Sequence, residues 1–351
     1  MMKVKRIVFP LIHLICFAIS LVAAGQDQTG KLYPVRHQGK WGFINREGKI
    51  VISPRFNDVD EFTEGLAPVQ IGNKYGYINR SGKVVIPPLF DRANQFYKGL
   101  AAVIVNKKVG FISRSGRFLI NPRFERIGYS NFGEEGLIMV SIGRKYGYID
   151  TAGRVIIRPL YELTRGWSEG LNPVVSSGEK WSYINNKGET VIKPAFDDAQ
   201  PFFEGLAAVQ LDKKWGYIEK TGQLVINPKF DRATEFSEGF AAVEIQGRWG
   251  YIDKQGQYII HPRFYNAWPF INGMAQVVLE PDRQYTTPQG TFTEDVGHKW
   301  AYIDKTGKIV LKVEGLTDRV GEFIDGIAKI EFRDGRVGYI DQTGRYIWEP
   351  K

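Results

Sequence analysis

Lys214-Trp215-Gly216-Tyr217-Ile218-Glu219-Lys220-Thr221-Gly222-Gln223-Leu224-Val225-Ile226-Asn227-Pro228-Lys229-Phe230 is the stretch that decides the fold. Lys214–Glu219 and Gln223–Asn227 are short runs dominated by Val, Ile, Tyr and Trp and bounded by turn residues, which reads as two strands and a tight connection. Ala207-Ala208-Val209-Gln210-Leu211 supplies a strand before them. No apolar run at helical spacing is long enough to compete. In the middle strand Trp215 and Tyr217 share one face and Ile218 takes the other. Both faces are apolar, so the strand is expected to be covered on both sides. Gly216 removes a side chain where a neighbouring strand or ring comes close. Burying one such aromatic contributes about 1.5–3 kcal/mol.

The unit recurs along the chain. Its anchors are Lys40-Trp41, Lys74-Tyr75, Lys108-Val109, Lys145-Tyr146, Lys180-Trp181, Lys214-Trp215, Arg248-Trp249, Lys299-Trp300 and Arg336-Val337. The second residues of these pairs lie 34, 34, 37, 35, 34, 34, 51 and 37 positions apart, a period that marks stacked repeats. The anchor glycines Gly42, Gly76, Gly147 and Gly250 correspond to Gly216. Turns such as Asn45-Arg46-Glu47-Gly48, Asp150-Thr151-Ala152-Gly153, Asp253-Lys254-Gln255-Gly256 and Asp341-Gln342-Thr343-Gly344 follow the middle strands. Their Asp or Asn can accept a hydrogen bond from the backbone two residues on, and glycine can take a positive φ, so these acids read as turn formers. A connection then closes each unit, as in Pro194-Ala195-Phe196-Asp197-Asp198-Ala199 leading to Phe202, Glu204, Gly205 and Leu206. Proline ends the third strand because it has no N–H to donate, and the phenylalanines are expected to pin the connection onto the sheet.

Residues 1–25 stand apart. Lys3, Lys5 and Arg6 precede an apolar run from Ile7 to Val22, followed by Ala23, Ala24 and Gly25. Basic, apolar, then small is the order of a secretory signal peptide. Interrupted by Pro10 and His13, the run falls short of the roughly 20 apolar residues of a spanning helix; an uncleaved anchor is the alternative. Bulky Ile15 and Phe17 beside Cys16 argue against lipid attachment there. Cleavage would remove the single cysteine and lower the net charge from +9 to +6 (47 − 3 basic against 38 acidic). No basic tract of the nucleic-acid kind is present, and no stable membrane span is expected after cleavage.

The Trp-Gly, turn and Pro-x-Phe pattern resembles the WG-repeat (KWG repeat) family, from about Lys31 to Lys351. The resemblance implies a bacterial, often exported protein of tandem β-repeats, and no particular biochemical activity. Copies depart from the pattern at Val109 and Val337, at Ser182 and Ala301, and at Lys98 and Asn272 in the acidic slot. About nine repeats are expected, starting near 31, 66, 100, 137, 171, 206, 240, 274 and 327, with an inserted hairpin at about 279–298. The class is all-β: ~34-residue three-stranded meanders in an open β-solenoid or superhelix, the alternative being propeller-like closure. Variable copy number in the family, and the lack of a blade split between the termini, favour the open array.

Chemistry is sparsely signalled. His37, His261 and His298 are not spaced as a metal pair, and GxSxG, Walker A and HExxH motifs are absent. No catalytic, cofactor-binding or metal-ligating residues are assigned. The reading is a non-enzymatic exported scaffold that binds a protein. Binding of an envelope polysaccharide or cell-wall glycan is the alternative, and a cryptic glycoside hydrolase a distant third. Trp41, Tyr75, Tyr146, Trp181, Trp215, Trp249 and Trp300 are expected to form the structural spine. Trp167, Tyr265, Trp268, Tyr285 and Phe292 are candidates for a ligand surface. The recurrent cations are expected to pair with acids such as Glu64, Glu204 or Glu238. The insertion around Tyr285–Phe292 is the segment that sets one repeat apart.

Overall fold

A computed structural model describes residues 30–127, 136–279, 283–287, 290–294, 299–313, 317–332 and 334–349. The leader at 1–25 lies outside the described residues, as do His298 and the side chains of Tyr285 and Phe292. Residues 31–351 form one compact unit, all β, with no helix among the described residues that could cross a membrane. Nine antiparallel sheets follow one another along the chain, at 33–56, 58–90, 92–124, 126–161, 163–196, 198–230, 232–264, 266–313 and 317–348. We call them blades 1 to 9. A separate two-stranded hairpin, Arg283–Thr287 with Gly290–Glu294, is inserted within blade 8.

Blade 6 shows the common plan. Asp198–Ala199 pairs with Leu206–Leu211, then comes Lys214–Glu219, and Leu224–Phe230 forms the far edge. The two-residue strand comes from the segment read in the sequence as a connection, so the meander is extended to four strands in every blade but the first. A turn with two positive φ values, Glu204 at 53° and Gly205 at 85°, joins the short strand to the next one, the geometry of tight hairpins.

The Trp-Gly pair has a specific cause. Trp215 pairs with Phe230 while Tyr217 pairs with Ile226, so the outer strand spends two more residues than its partner and bulges. A Cβ on Gly216 would lie 2.4 Å from the Ile226 carbonyl oxygen and 2.7 Å from the Pro228 nitrogen. Glycine is there because a bulged backbone occupies the space a side chain needs. Pro228 sits in that bulge on an edge strand, where no ladder needs its N–H. Blade 8 supplies the converse: Trp300, Ala301 and Tyr302 pair without interruption with Val313, Lys312 and Leu311. With that bulge and the proline gone, alanine fits the slot that glycine holds in most other blades.

Cores lie between blades rather than within them. Trp215 and Tyr217 join Phe236, Ala241 and Val243 of blade 7, while Ile218 joins Tyr183 and Phe196 of blade 5. The middle strand is thus covered on both faces, as its sequence predicts. Nine such clusters exist among the described residues, and the ninth unites Tyr33, Val35 and Ile44 of blade 1 with Ile327, Val337 and Tyr339 of blade 9. An open array of nine blades would have eight junctions.

The same small contacts recur at this ninth junction. A Cβ on the hairpin glycine Gly222 would lie 3.1 Å from Ile192 of the preceding blade, and one on Gly48 of blade 1 would meet Ile347 of blade 9. The Tyr217 hydroxyl donates to the Thr234 carbonyl of the next blade at 2.9 Å, and the Tyr339 hydroxyl donates to the Pro34 carbonyl at 2.8 Å. The molecule is therefore a closed nine-bladed β-propeller. This corrects the open solenoid and matches the alternative. Closure here needs no blade shared between the termini, because side-chain packing and hydrogen bonds seal blade 9 to blade 1.

Candidate functional site

The aromatic spine is interior. Trp181, Trp215, Trp249 and Trp300 are buried, and Trp41, Tyr75 and Tyr146 are half-buried. The second aromatic of each middle strand is buried deeper still: Tyr77, Tyr183, Tyr217 and Tyr251 have no exposure, and their rings lie about 5 Å from Phe96, Phe202, Phe236 and Phe270. Burial pushes these phenols far above their ordinary pKa. Tyr148 is pushed up to about 12 by burial, against hydrogen bonds with Thr164 and Asn172. Tyr75 reaches about 12 through burial and the Asp58 carboxylate that its hydroxyl meets at 2.6 Å.

Charged groups are consumed at the blade junctions. The Glu204 carboxylate accepts the Gly239 N–H of the next blade at 3.1 and 3.3 Å, and Lys254 meets both its carboxylate and its carbonyl. Glu64, Glu169 and Glu238 accept from Gly99, Gly205 and Gly273 in the same way. Successive copies of this turn touch one another directly, which places them around the propeller axis. Across the closing junction Asp325 takes the role, meeting Lys31 at 3.4 Å and receiving Arg46 on its carbonyl at 2.9 Å.

The recurrent cation of the anchor pair has another partner than the sequence suggests. Lys74, Lys145, Lys180 and Lys214 pair with Asp91, Glu162, Asp197 and Asp231, the acids that follow each outer strand. The strands run antiparallel, so the start of the middle strand meets the end of the outer one. The lysine beside Asp91, Asp197 or Asp231 holds that carboxyl below its ordinary range. Hairpin acids serve their own turns: the Asp253 carboxylate accepts the N–H groups of Gln255 and Gln257 at 3.0 and 2.9 Å. No cluster among the described residues could hold a metal ion.

The five ligand-surface candidates do not converge. Trp167 packs on Tyr148 at 5.2 Å in the core between blades 4 and 5. Trp268 packs on Trp300 at 4.9 Å in the core between blades 8 and 9. Tyr265 is exposed and lies under the Arg248 guanidinium at 4.1 Å. Tyr285 and Phe292 oppose each other in the inserted hairpin by backbone register.

What is displayed is the outer rim. The same outer-strand position carries Val51, Val85, Leu119, Ile156, Val191, Val225, Ile259 and Val310, each exposed by 42–50%. Basic side chains flank this row in the sequence, among them Lys49, Lys83, Arg117, Arg158, Lys193 and Lys312. Sequence reading missed the rim because it asked which aromatics were free, whereas the exposed apolar residues are aliphatic. The signal was the aliphatic doublet preceding each bulge, Val-Ile or Ile-Ile in most blades and Leu119-Ile120 in blade 3, too apolar for a strand with one wet face.

Among solved structures, a eukaryotic initiation factor matches with a TM-score of 0.65 at 11% identity over 92% of this chain and 96% of that one, a likeness of fold. The designed protein Ika8 matches at 0.48 with 11% identity over 81% and 95%. An extracellular domain from B. thetaiotaomicron matches at 0.41 with 11% identity, covering 92% of this chain and 54% of that one. No functionally curated protein matches the chain. The WG containing repeat matches seven tandem segments, at residues 41–75, 75–108, 110–146, 146–179, 181–215, 215–249 and 249–280. The first six segments run from the middle strand of one blade up to that of the next, the seventh ends before the inserted hairpin, and the chain belongs to the WG-containing repeat family.

Proposed function

We propose that the protein is a non-enzymatic, exported interaction scaffold whose outer rim meets a protein partner. The observation that carries this reading is the aliphatic row on eight of the nine outer strands, exposed at one repeated position and interleaved with basic residues. Apolar exposure in register marks interaction surfaces more often than singly scattered residues do. The buried spine removes the repeated aromatics from contention as sugar platforms. Export is supported by the order of charge and hydropathy in residues 1–25.

The test is affinity capture from envelope extracts with the chain from Gln26 to Lys351, alongside co-sedimentation with cell-wall sacculi and insoluble polysaccharides. Capture of a partner that Val85→Glu and Val225→Glu weaken supports the rim. Saturable pelleting weakened by Trp268→Ala would replace the protein partner with a glycan. A folded chain that binds neither would end the scaffold reading.

A further inference from the structure

Resting on the scaffold reading, we propose that the outer edge of blade 8, Ile309–Val313, is a docking site for an acidic, extended peptide segment that adds to the sheet as a fifth strand. Seven outer strands, those of blades 1 to 7, carry a proline at their bulge. Proline and bulges are the devices that keep an exposed edge from pairing with another chain. Blade 9 ends in the three-residue strand Tyr346–Trp348. Ile309–Val313 is five residues long, free of proline, and pairs regularly with Trp300, Ala301 and Tyr302 over its last three residues. Alternate residues of such a strand direct N–H and C=O groups away from the blade, which is what an added strand requires.

Side-chain chemistry selects the occupant. Lys308, Val310 and Lys312 are all exposed along this edge, Val310 at the one-residue register shift that the strand retains. Neither lysine is in an ion pair among the described residues. The nearby Asp304 carboxylate is spent on the Thr306 and Lys308 backbone N–H groups at 2.9 and 3.0 Å, and Lys305 is paired with Glu238 at 3.0 Å. Beside the start of the strand an open cleft between blades 7 and 8 is lined by Arg263, Phe264, Leu279, Lys308 and Ile309. Arg263 is anchored there by its bond to the Gly307 carbonyl at 2.5 Å. A peptide carrying acidic and apolar residues would bring carboxylates to the exposed Lys308 and Lys312 and to Arg263, and an apolar side chain to the cleft. A second copy of this chain is disfavoured, because pairing the two edges would set lysines against lysines.

The test uses the full chain from Gln26 and a fluorescein-labelled peptide of alternating Glu and Val, read by fluorescence anisotropy. Comparators are the Lys/Val peptide and a Glu/Val peptide N-methylated at alternate residues. Saturable binding of the first is expected, with both comparators weaker by at least about tenfold. Lys308→Glu with Lys312→Glu should reverse the preference toward the Lys/Val peptide. Replacing 309–313 with the bulged sequence of 224–230, together with Ala301→Gly, should abolish binding. That exchange installs the geometry seven blades already hold, so retention of the unfolding midpoint reports folding. No saturable binding by the folded chain overturns the proposal. Binding that survives both the charge reversal and the exchange also overturns it, placing the peptide elsewhere and leaving the scaffold reading intact.

Discussion

Replacing Gly216 by alanine is expected to destabilise the propeller by about 1–2 kcal/mol, and the reasoning behind that figure can fail cleanly. The new Cβ would sit 2.4 Å from the Ile226 oxygen, 2.7 Å from the Pro228 nitrogen and 2.9 Å from the Asn227 carbonyl carbon. Favourable separations between heavy atoms begin at about 3.5 Å, so the bulge must retreat by roughly 1 Å, and its atoms are backbone. Overpacking of this kind costs about 1–3 kcal/mol. Alanine returns about 0.5–1 kcal/mol by narrowing the freedom of the unfolded chain. Blade 5 bounds the penalty from above: it keeps the bulge with Ser182 in the glycine slot, the hydroxyl reaching the Val174 carbonyl at 3.3 Å. A small side chain therefore strains a blade without unfolding it. In blade 8, where the pairing is continuous, Ala301→Gly relieves nothing and should cost about 0.5–1 kcal/mol. Urea unfolding followed by tryptophan fluorescence compares the two variants. A Gly216→Ala chain as stable as the parent, or a stabilised Ala301→Gly chain, would refute the account of the Trp-Gly pair.

Tyr217→Phe removes the bond to the Thr234 carbonyl and should cost about 1 kcal/mol; a neutral result in urea unfolding would show that water already serves that carbonyl. Carbodiimide should couple Lys31 to Asp325, 3.4 Å apart, within one chain, and a peptide map without that link would argue for an open array. Stability should be lost as pH rises above about 10. There the unfolded tyrosines ionise, whereas Tyr75 and Tyr148 in the fold hold their protons to about 12. Absorbance at 295 nm should therefore change together with unfolding, and phenolate appearing near its ordinary pKa in a folded chain would contradict the burial. At the acid end, Asp91, Asp197 and Asp231 have folded values below the unfolded one of about 4. Their contribution is present above that value and lost as pH falls through the folded values. Lys214→Met should flatten the acid limb of the unfolding curve.

The strands, turns and buried spine were legible because each is written locally. Alternation in Trp215–Ile218, the Asp253 turn and the Pro-x-Phe closure use residues within a few positions of one another. The short strand Asp198–Ala199 was missed because two residues carry no periodicity. The lysine partners were missed because the sequence shows which charges recur but not which ends of antiparallel strands meet. Ring closure was illegible for a deeper reason. Every copy specifies its contact with the next, Gly222 on Ile192 or Glu204 on Gly239, and whether the last copy reaches the first depends on a small rotation repeated nine times. No residue encodes that angle. Copy number then decides closure: with each junction turning the chain by a ninth of a revolution, nine blades meet and a tenth would collide.

The departures within the array can be sorted by the same logic. Val109 in place of an aromatic changes a side chain and leaves the bulge of blade 3 in place. Ser182 strains a bulge that blade 5 retains. Blade 8 differs from both, because its changes move together. Alanine replaces the anchor glycine, the proline is gone, the bulge opposite the anchor is gone, and the inserted hairpin enters between its two central strands. Ala301 could not be tolerated against a bulge without strain, so the loss of bulge and glycine is a single structural event. That event leaves a proline-free, lysine-bearing edge, with one register shift at Val310, on one blade of a ring whose first seven blades guard theirs. Random drift of a surface loop would account for the hairpin alone; it does not account for an outer strand that loses its proline and the bulge opposite the anchor together, both in the direction that admits another strand.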